Sequence, residues 1–227
     1  DRRQRQMCIR DSLYAGAIAF FLMFAALAME LKPFPANGWA LDIYESAHPG
    51  FSALLSAAAA STMLFAVDKL LDLGGARWLE LATAIGIVTF VLTNLLALPQ
   101  GNDRRLLGYS SLAQTGLVLV VIGQRELLGE AYAFVAFGIL VAHAVAKAGL
   151  YWISGLIAER SLGAWAALRE RPLLLFAFAS FLAMLIGLPP FTGFYAKWEL
   201  AHALAADGQL VLLGLILLGA LIESVYL

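Results

Sequence analysis

Apolar residues run along this chain in long blocks cut by short polar or proline-rich segments. An α-helix needs about 20 such residues to cross the hydrocarbon core of a bilayer. The pattern predicts seven spans: Leu13–Leu31, Phe51–Leu71, Leu79–Leu98, Leu106–Gly123, Ala131–Ile157, Leu173–Ala206 and Gln209–Leu227. The sixth is too long for one simple crossing and contains Gly187-Leu188-Pro189-Pro190-Phe191-Thr192-Gly193. Prolines remove backbone donors and clash with the preceding turn, so the expected form is a helix broken at mid-membrane, with halves Leu173–Leu188 and Phe191–Ala206. The stretch Lys32-Pro33-Phe34-Pro35-Ala36-Asn37-Gly38 after the first span predicts the same kind of break, or else a loop that ends the span. Unwound backbone at membrane depth is tolerated only where protein or a watery cavity satisfies it, and paired broken helices point to transport sites. The fold class is therefore an all-α polytopic bundle.

Composition sharpens this picture. Of 227 residues, 62% are hydrophobic and 14% charged, against roughly 45–50% and 25% in soluble domains. The net charge of −1 gives no reason to expect a nucleic-acid partner. The single cysteine, Cys8, excludes an internal disulfide framework and a cysteine-based cluster. No phosphate loop, Cys-x-x-Cys or His-Glu-x-x-His pattern occurs, so neither a cofactor nor a metal is expected.

Residues 1–12 are polar, carry four arginines and stop abruptly at an apolar run. They lack the apolar core of a signal peptide and read as a non-native scar or disordered extension. Without them, alternating the connections between two sides puts Lys32, Arg104, Arg105, Arg160, Arg169 and Arg171 on one side and Lys69, Arg77 and Arg125 on the other. The positive-inside rule places the richer side in the cytoplasm.

Ionisable side chains within spans are the candidate chemistry, because each costs roughly 2.5–3.5 kcal/mol at the helix centre. Lys147 sits near the middle of its span and His143 lies four residues earlier on the same face. An ammonium beside an imidazole suits proton transfer; the alternative is a packing histidine with a snorkelling lysine. Lys197 follows the Pro-Pro break, and Glu199 is a possible partner although residues two apart face different ways. Glu30 ends the first span with Lys32 beside it, a pair that could equally be solvated. Glu223 lies in an apolar helix and is poorly explained as a surface residue, whereas His48 and His202 read as structural. Tyr109, Ser110, Ser111 and Gln114 form a polar patch able to hold water or pair with neighbouring helices.

Four ordered blocks bring a resemblance. Gln100-Gly101-Asn102-Asp103-Arg104-Arg105-Leu106-Leu107-Gly108-Tyr109-Ser110-Ser111 through Gly116 resembles the Asp-x-Lys/Arg-Arg-Leu-Leu-Ala-Tyr-Ser-Ser-x-x-x-x-Gly signature of the antiporter-like subunits of respiratory complex I, Mrp-type cation/proton antiporters and membrane-bound hydrogenases. His143-Ala144-Val145-Ala146-Lys147-Ala148-Gly149-Leu150-Tyr151 is similar to that family's His-Ala-x-x-Lys-Ala-x-Leu-Phe block. Gly187 to Lys197 is similar to its Gly-x-Pro-Pro-x-x-Gly-Phe-x-x-Lys block. Upstream, Pro35, Trp39, Asp42 and the run Ala47 to Ser56 resemble Pro-x-His-x-Trp-Leu-Pro-Asp followed by Ala-Pro-x-x-Val-Ser-Ala-Leu-Leu-Ser.

The resemblance implies inverted helix repeats, with residues 13–71 ending a first repeat and 72–227 forming a second, and a file of charged residues along the midplane. Lys147 is then the central relay lysine, His143 its neighbour and Lys197 the broken-helix lysine facing the exit. It further implies a proton-translocating subunit of a redox-driven NADH:quinone oxidoreductase-like complex, or an Mrp-like sodium/proton antiporter or hydrogenase subunit, in a prokaryotic inner membrane among other membrane subunits. The structural alternative is a membrane subunit that transports nothing. Departures from the pattern are specific. Glu30 stands where the family has a lysine five residues before the proline, Asn37 or Ala36 replaces its usual histidine, and only small residues occupy Ala57–Ser61, where many members have a lysine or histidine. The chain reads as part of a longer protein.

Overall fold

The computed structural model describes residues 16–27, 29–157 and 159–227, so the polar N-terminal stretch and the start of the first predicted span lie outside the described residues. Helices make up nearly all of it: α1 (Gly16–Leu27), α2 (Gly38–Ser46), α3 (Pro49–Leu71), α4 (Ala76–Ala97), α5 (Asp103–Gly123), α6 (Tyr132–Leu156), α7 (Pro172–Ile186), α8 (Thr192–Ala206) and α9 (Leu210–Tyr226). Four segments are long and apolar enough to cross a membrane: α3, α4, α5, and Arg125–Leu156, which contains α6. The remaining crossings use the shorter apolar helices α1, α7 and α9.

The core is built around α5. Of its best apolar window 94% is buried within this chain, because α4, α6, α2 and α3 pack around it. Small residues set the closest of these approaches. A Cβ added at Gly86 would lie 2.7 Å from the Gly116 carbonyl, and one at Gly123 would meet Thr83 of α4. The α4 and α5 backbones therefore touch directly, the usual way helices associate where lipid removes the hydrophobic drive. Much of the outer surface is apolar, including Leu173, Phe176 and Val211, which suits lipid or a neighbouring subunit.

Both predicted breaks are present. Helix α7 ends at Gly187, whose φ of +90° is the left-handed geometry that glycine supplies without strain. At the first break Lys32 itself takes φ +59°, closing the helical turn Met29–Leu31, and the chain re-enters helix as α2. The Phe34 amide donates to Thr89 Oγ1 of α4 at 3.2 Å. Thr89 lies about 12 Å along α4 from its nearer end at 1.5 Å per residue, so the turn sits at membrane depth and is a break between two half-helices. Lys32 consequently lies at no surface, which corrects its place in the charge comparison and leaves five basic residues against three.

The two connections predicted to share a side do meet. Asn102 and Ser161 form a β-bridge, and the Asp103 amide donates to the Arg160 carbonyl at 3.2 Å. At that end Arg105 bridges Asp42 at 3.0 Å and Glu45 at 2.8 Å. At the opposite end Arg125 pairs with Asp68 and Asp72, and Tyr132 donates to Asp68 at 2.7 Å.

Candidate functional site

A charged pair stands between α8 and α9. Lys197 Nζ lies 3.6 Å from Glu223 Oε2, with the Glu223 side chain fully buried. The same ammonium donates to the Leu185 and Ile186 carbonyls at 3.0 and 3.1 Å. Those are last-turn carbonyls of α7, which the Gly187 break leaves without intrahelical partners. A cation there also meets the negative end of the α7 dipole. The proline-glycine break thus builds a lysine site out of backbone: it strands the carbonyls, and α8 returns alongside to place Lys197 against them.

Glu223 is held from its other side by α5. Ser110 Oγ donates to it at 3.1 Å, and Gln114 Nε2 lies 2.8 and 2.6 Å from its two oxygens. A buried carboxylate is tolerable only when its lone pairs are met in this way. The predicted partner of Lys197 is corrected here. Glu199 projects from a different face of α8 and makes no ion pair among the described residues, whereas Glu223 occupies that role.

Lys147 and His143 face the bundle interior, at 0% and 4% exposure, so Lys147 does not snorkel. Lys147 Nζ donates to the Leu107 carbonyl of α5 at 2.9 Å, and Ser111 Oγ donates to the same oxygen at 2.9 Å. Ser111 having spent its proton there, Ser56 Oγ of α3 is the donor in their 2.7 Å contact. His143 Nε2 lies 3.3 Å from the Ser56 carbonyl. A carbonyl only accepts, so this nitrogen carries the proton and Nδ1 presents a bare lone pair, which has no partner among the described residues.

Ser56 owes its placement to a π-helical turn, Leu55–Ala59, inside α3. Such turns are frequent at functional sites because they redirect backbone carbonyls. Ser61 and Thr62 hydroxyls take up the Ala57 and Ala58 carbonyls at 2.6 and 2.9 Å, and Ser56 turns its own oxygen to His143. Ala60, Ser61, Gln114 and Thr115 close around His143 and leave no water-sized cavity beside it. Glu223 is within electrostatic reach of Lys147, and His143 is within reach of both lysines. The four groups belong to one buried polar cluster spanning α3, α5, α6, α8 and α9.

Glu30 and Lys32 stand apart from it. Glu30 is half-buried and has no ion pair among the described residues; Lys32 is 2% exposed and packs 5.4 Å over the Trp39 ring. The solvated-pair reading of these two is therefore corrected on the lysine's side. His48 is structural as expected: its Nδ1 accepts the Gly50 amide and caps α3. His202 is exposed. Sequence reasoning passed over one network, in which Asp103 accepts from Ser154 and Trp165 while Arg104 reaches Ser154 and the Ala47 carbonyl at 3.2 Å. The signal was the pair Asp103–Arg104 at a helix start, which reads equally well as a solvated cap.

A bundle of apolar helices with one helix broken beside a buried ion pair defines a polytopic membrane protein of the antiporter-like class. The chain belongs to the family described as NADH:quinone oxidoreductase/Mrp antiporter, TM, which matches residues 9–223. NADH-quinone oxidoreductase subunit N of Rubrobacter xylanophilus is 32% identical over 199 residues, covering 85% of this chain and 41% of the relative. The subunit N of Moorella thermoacetica is 35% identical over 202 residues, covering 84% and 41%. Among solved structures, an archaeal membrane-bound sulfane sulfur reductase superposes with TM-score 0.81 at 25% identity, over 91% of this chain and 44% of that one. Respiratory complex I from Thermus thermophilus superposes with TM-score 0.74 at 25% identity, over 92% and 47%. The Mrp complex from Dietzia, TM-score 0.80 at 23% identity over 92% and 40%, shares the fold. This chain spans less than half the length of the curated relatives it matches.

Proposed function

We propose that this chain carries part of a proton-translocating, antiporter-like subunit of an NADH:quinone oxidoreductase-like complex in a bacterial inner membrane, associated there with other membrane subunits. Residues 13–71 would close a first helix repeat and 72–227 form a second. One observation carries the reading: Lys197 is held between stranded helix-end carbonyls and a buried Glu223. A purely structural pair gains nothing from an ammonium whose partners are three weakly competing acceptors, since an apolar pair of similar volume serves stability as well or better. An ammonium shared between backbone and carboxylate can be released from either with little rearrangement.

On this reading protons reach Lys147 and His143, and charge on Lys147 acts through space on the Lys197–Glu223 pair. Repulsion between the two ammonium groups loosens Lys197 from Glu223, so that a proton leaves on the far side. Lys147, His143, Lys197 and Glu223 form the pathway; Glu30 and Lys32 lie toward its inlet, and Glu199 lies off it. The test is ion flux in vesicles containing the full-length protein with its partner subunits, with sodium and pH gradients imposed separately. Flux that follows sodium would assign the subunit to the Mrp-like alternative. Unchanged flux in both Lys147→Ala and Lys197→Ala at equal protein level would leave the non-transporting structural subunit as the surviving reading.

A further inference from the structure

Tyr151 is fully buried, at 0% exposure, and its hydroxyl has no hydrogen-bond partner among the described residues. An unpartnered phenol costs stability, while phenylalanine would fill the same space at no such cost. The family block quoted above ends in phenylalanine at this place. The hydroxyl is therefore unexplained by packing.

Its surroundings suggest a use. Tyr151 is four residues after Lys147 and shares its helix face, and an aromatic side chain on a helix points back toward the preceding turn, here that of Lys147. The Ser111 hydroxyl stands near the Tyr151 oxygen without completing a hydrogen bond, and Ser111 donates to the same Leu107 carbonyl as Lys147. On its other side Tyr151 stacks on Tyr44 of α2, ring centroids 5.8 Å apart and planes 19° apart. Tyr44 is 1% exposed and lies within electrostatic reach of Glu30. The two tyrosines thus join α2, which follows the first break, to α6, which carries the central lysine.

We infer that the Tyr151 hydroxyl is a proton-relay residue that links the Tyr44–Glu30 side to Lys147. Its O–H passes a proton toward Ser111 and Lys147 and takes the next from the Tyr44 side, so the phenol is unchanged after each transfer. The inference rests on the proton-translocating reading above.

The experiment is Tyr151→Phe in the full-length protein assembled with its partner subunits and reconstituted in sealed vesicles, with Lys147→Ala alongside. Proton flux should fall at least about tenfold, at the low end for loss of a general acid–base group. The solvent deuterium effect on flux should rise, and the melting temperature should stay level or increase. Wild-type flux in Tyr151→Phe with Lys147→Ala inactive overturns the tyrosine relay and leaves the proposed function standing. Wild-type flux in both variants removes the proposed function itself. Failed assembly, a lowered melting temperature, or slow flux with an unchanged deuterium effect assigns the hydroxyl a structural role and overturns the relay.

Discussion

The two broken helices solve the same backbone problem and leave their charged residues in opposite conditions. At the α7–α8 break, the released Leu185 and Ile186 carbonyls are taken by Lys197, Glu223 faces it, and Ser110 and Gln114 hold Glu223 from behind. At the α1–α2 break the freed Phe34 amide goes to Thr89, while Lys32 rests on the face of Trp39 and Glu30 stays half-buried with no ion pair among the described residues. A break by itself therefore makes a site possible and does not complete one. What completes it is a second helix bringing a counter-charge, which α9 does at one break through Glu223. At the other, no ion pair reaches Lys32 or Glu30 among the described residues.

This contrast is broken most directly at the completed site. Lys147→Ala and Lys197→Ala, in the full-length protein within its complex, should abolish flux while assembly persists. Lys147→Ala removes a buried cation that has no ion pair among the described residues, so the fold loses little, whereas Lys197→Ala leaves the Glu223 carboxylate buried without its counter-charge and should also lower the melting temperature. Flux in reconstituted vesicles at matched protein level is the measurement. Glu223→Gln should fall next. It leaves Lys197 facing a neutral amide and sets one amide N–H₂ against that of Gln114, costing about 1–3 kcal/mol for the group left unsatisfied. Flux between that of the lysine variants and wild type, together with a lowered melting temperature, is expected; full activity would remove Glu223 from the pathway.

Much of this was legible in the residues and some was not. The breaks were legible because proline acts locally, on its own turn, and the all-α bundle because spans need length and apolarity alone. The inward face of His143 and Lys147 followed from four-residue spacing. The partner of Lys197 did not, since Glu223 is 26 positions away in sequence and only the packing of α9 against α4 and α8 brings it in. Backbone carbonyls carry no sequence identity, so the roles of Leu107, Leu185 and Ile186 were invisible. The half-helix α2 was missed because its outward positions are polar: Asp42 and Glu45 face Arg105, which breaks the apolar run that marks a span. The π-turn that directs Ser56 at His143 also has no signature in a row of alanines.

A smaller effect is expected at the turn that makes the α7–α8 site. Gly187→Ala forces a side chain into φ +90° and puts a Cβ 3.1 Å from Lys197 Cδ. The left-handed backbone costs about 1–2 kcal/mol, and the contact requires Lys197 to shift by a few tenths of an ångström. The melting temperature should fall, and flux should decline less than in Glu223→Gln, because both the carbonyls and the carboxylate remain. An unchanged melting temperature would show that the turn is not held in the geometry described.

The least effect is expected from Glu30→Gln, and it tests the incomplete side of the comparison. Glu30 is only half-buried, lacks an ion pair among the described residues, and stands within electrostatic reach of Tyr44. A glutamine there cannot hold a transferable proton, yet water entering the same space can deliver one to Tyr44 directly. A charge this open to solvent is worth up to about 1 kcal/mol, which corresponds to a decline in flux of no more than about fivefold. Flux measured in the same vesicles as Lys197→Ala separates two pictures of the molecule. A loss as deep as that of the lysine variant would mean that Glu30 is enclosed in the assembled complex and that the first break is completed by residues outside this chain. A loss within the fivefold bound would mean that the inlet is wet and that selectivity begins only where Tyr44, Tyr151 and Lys147 exclude water.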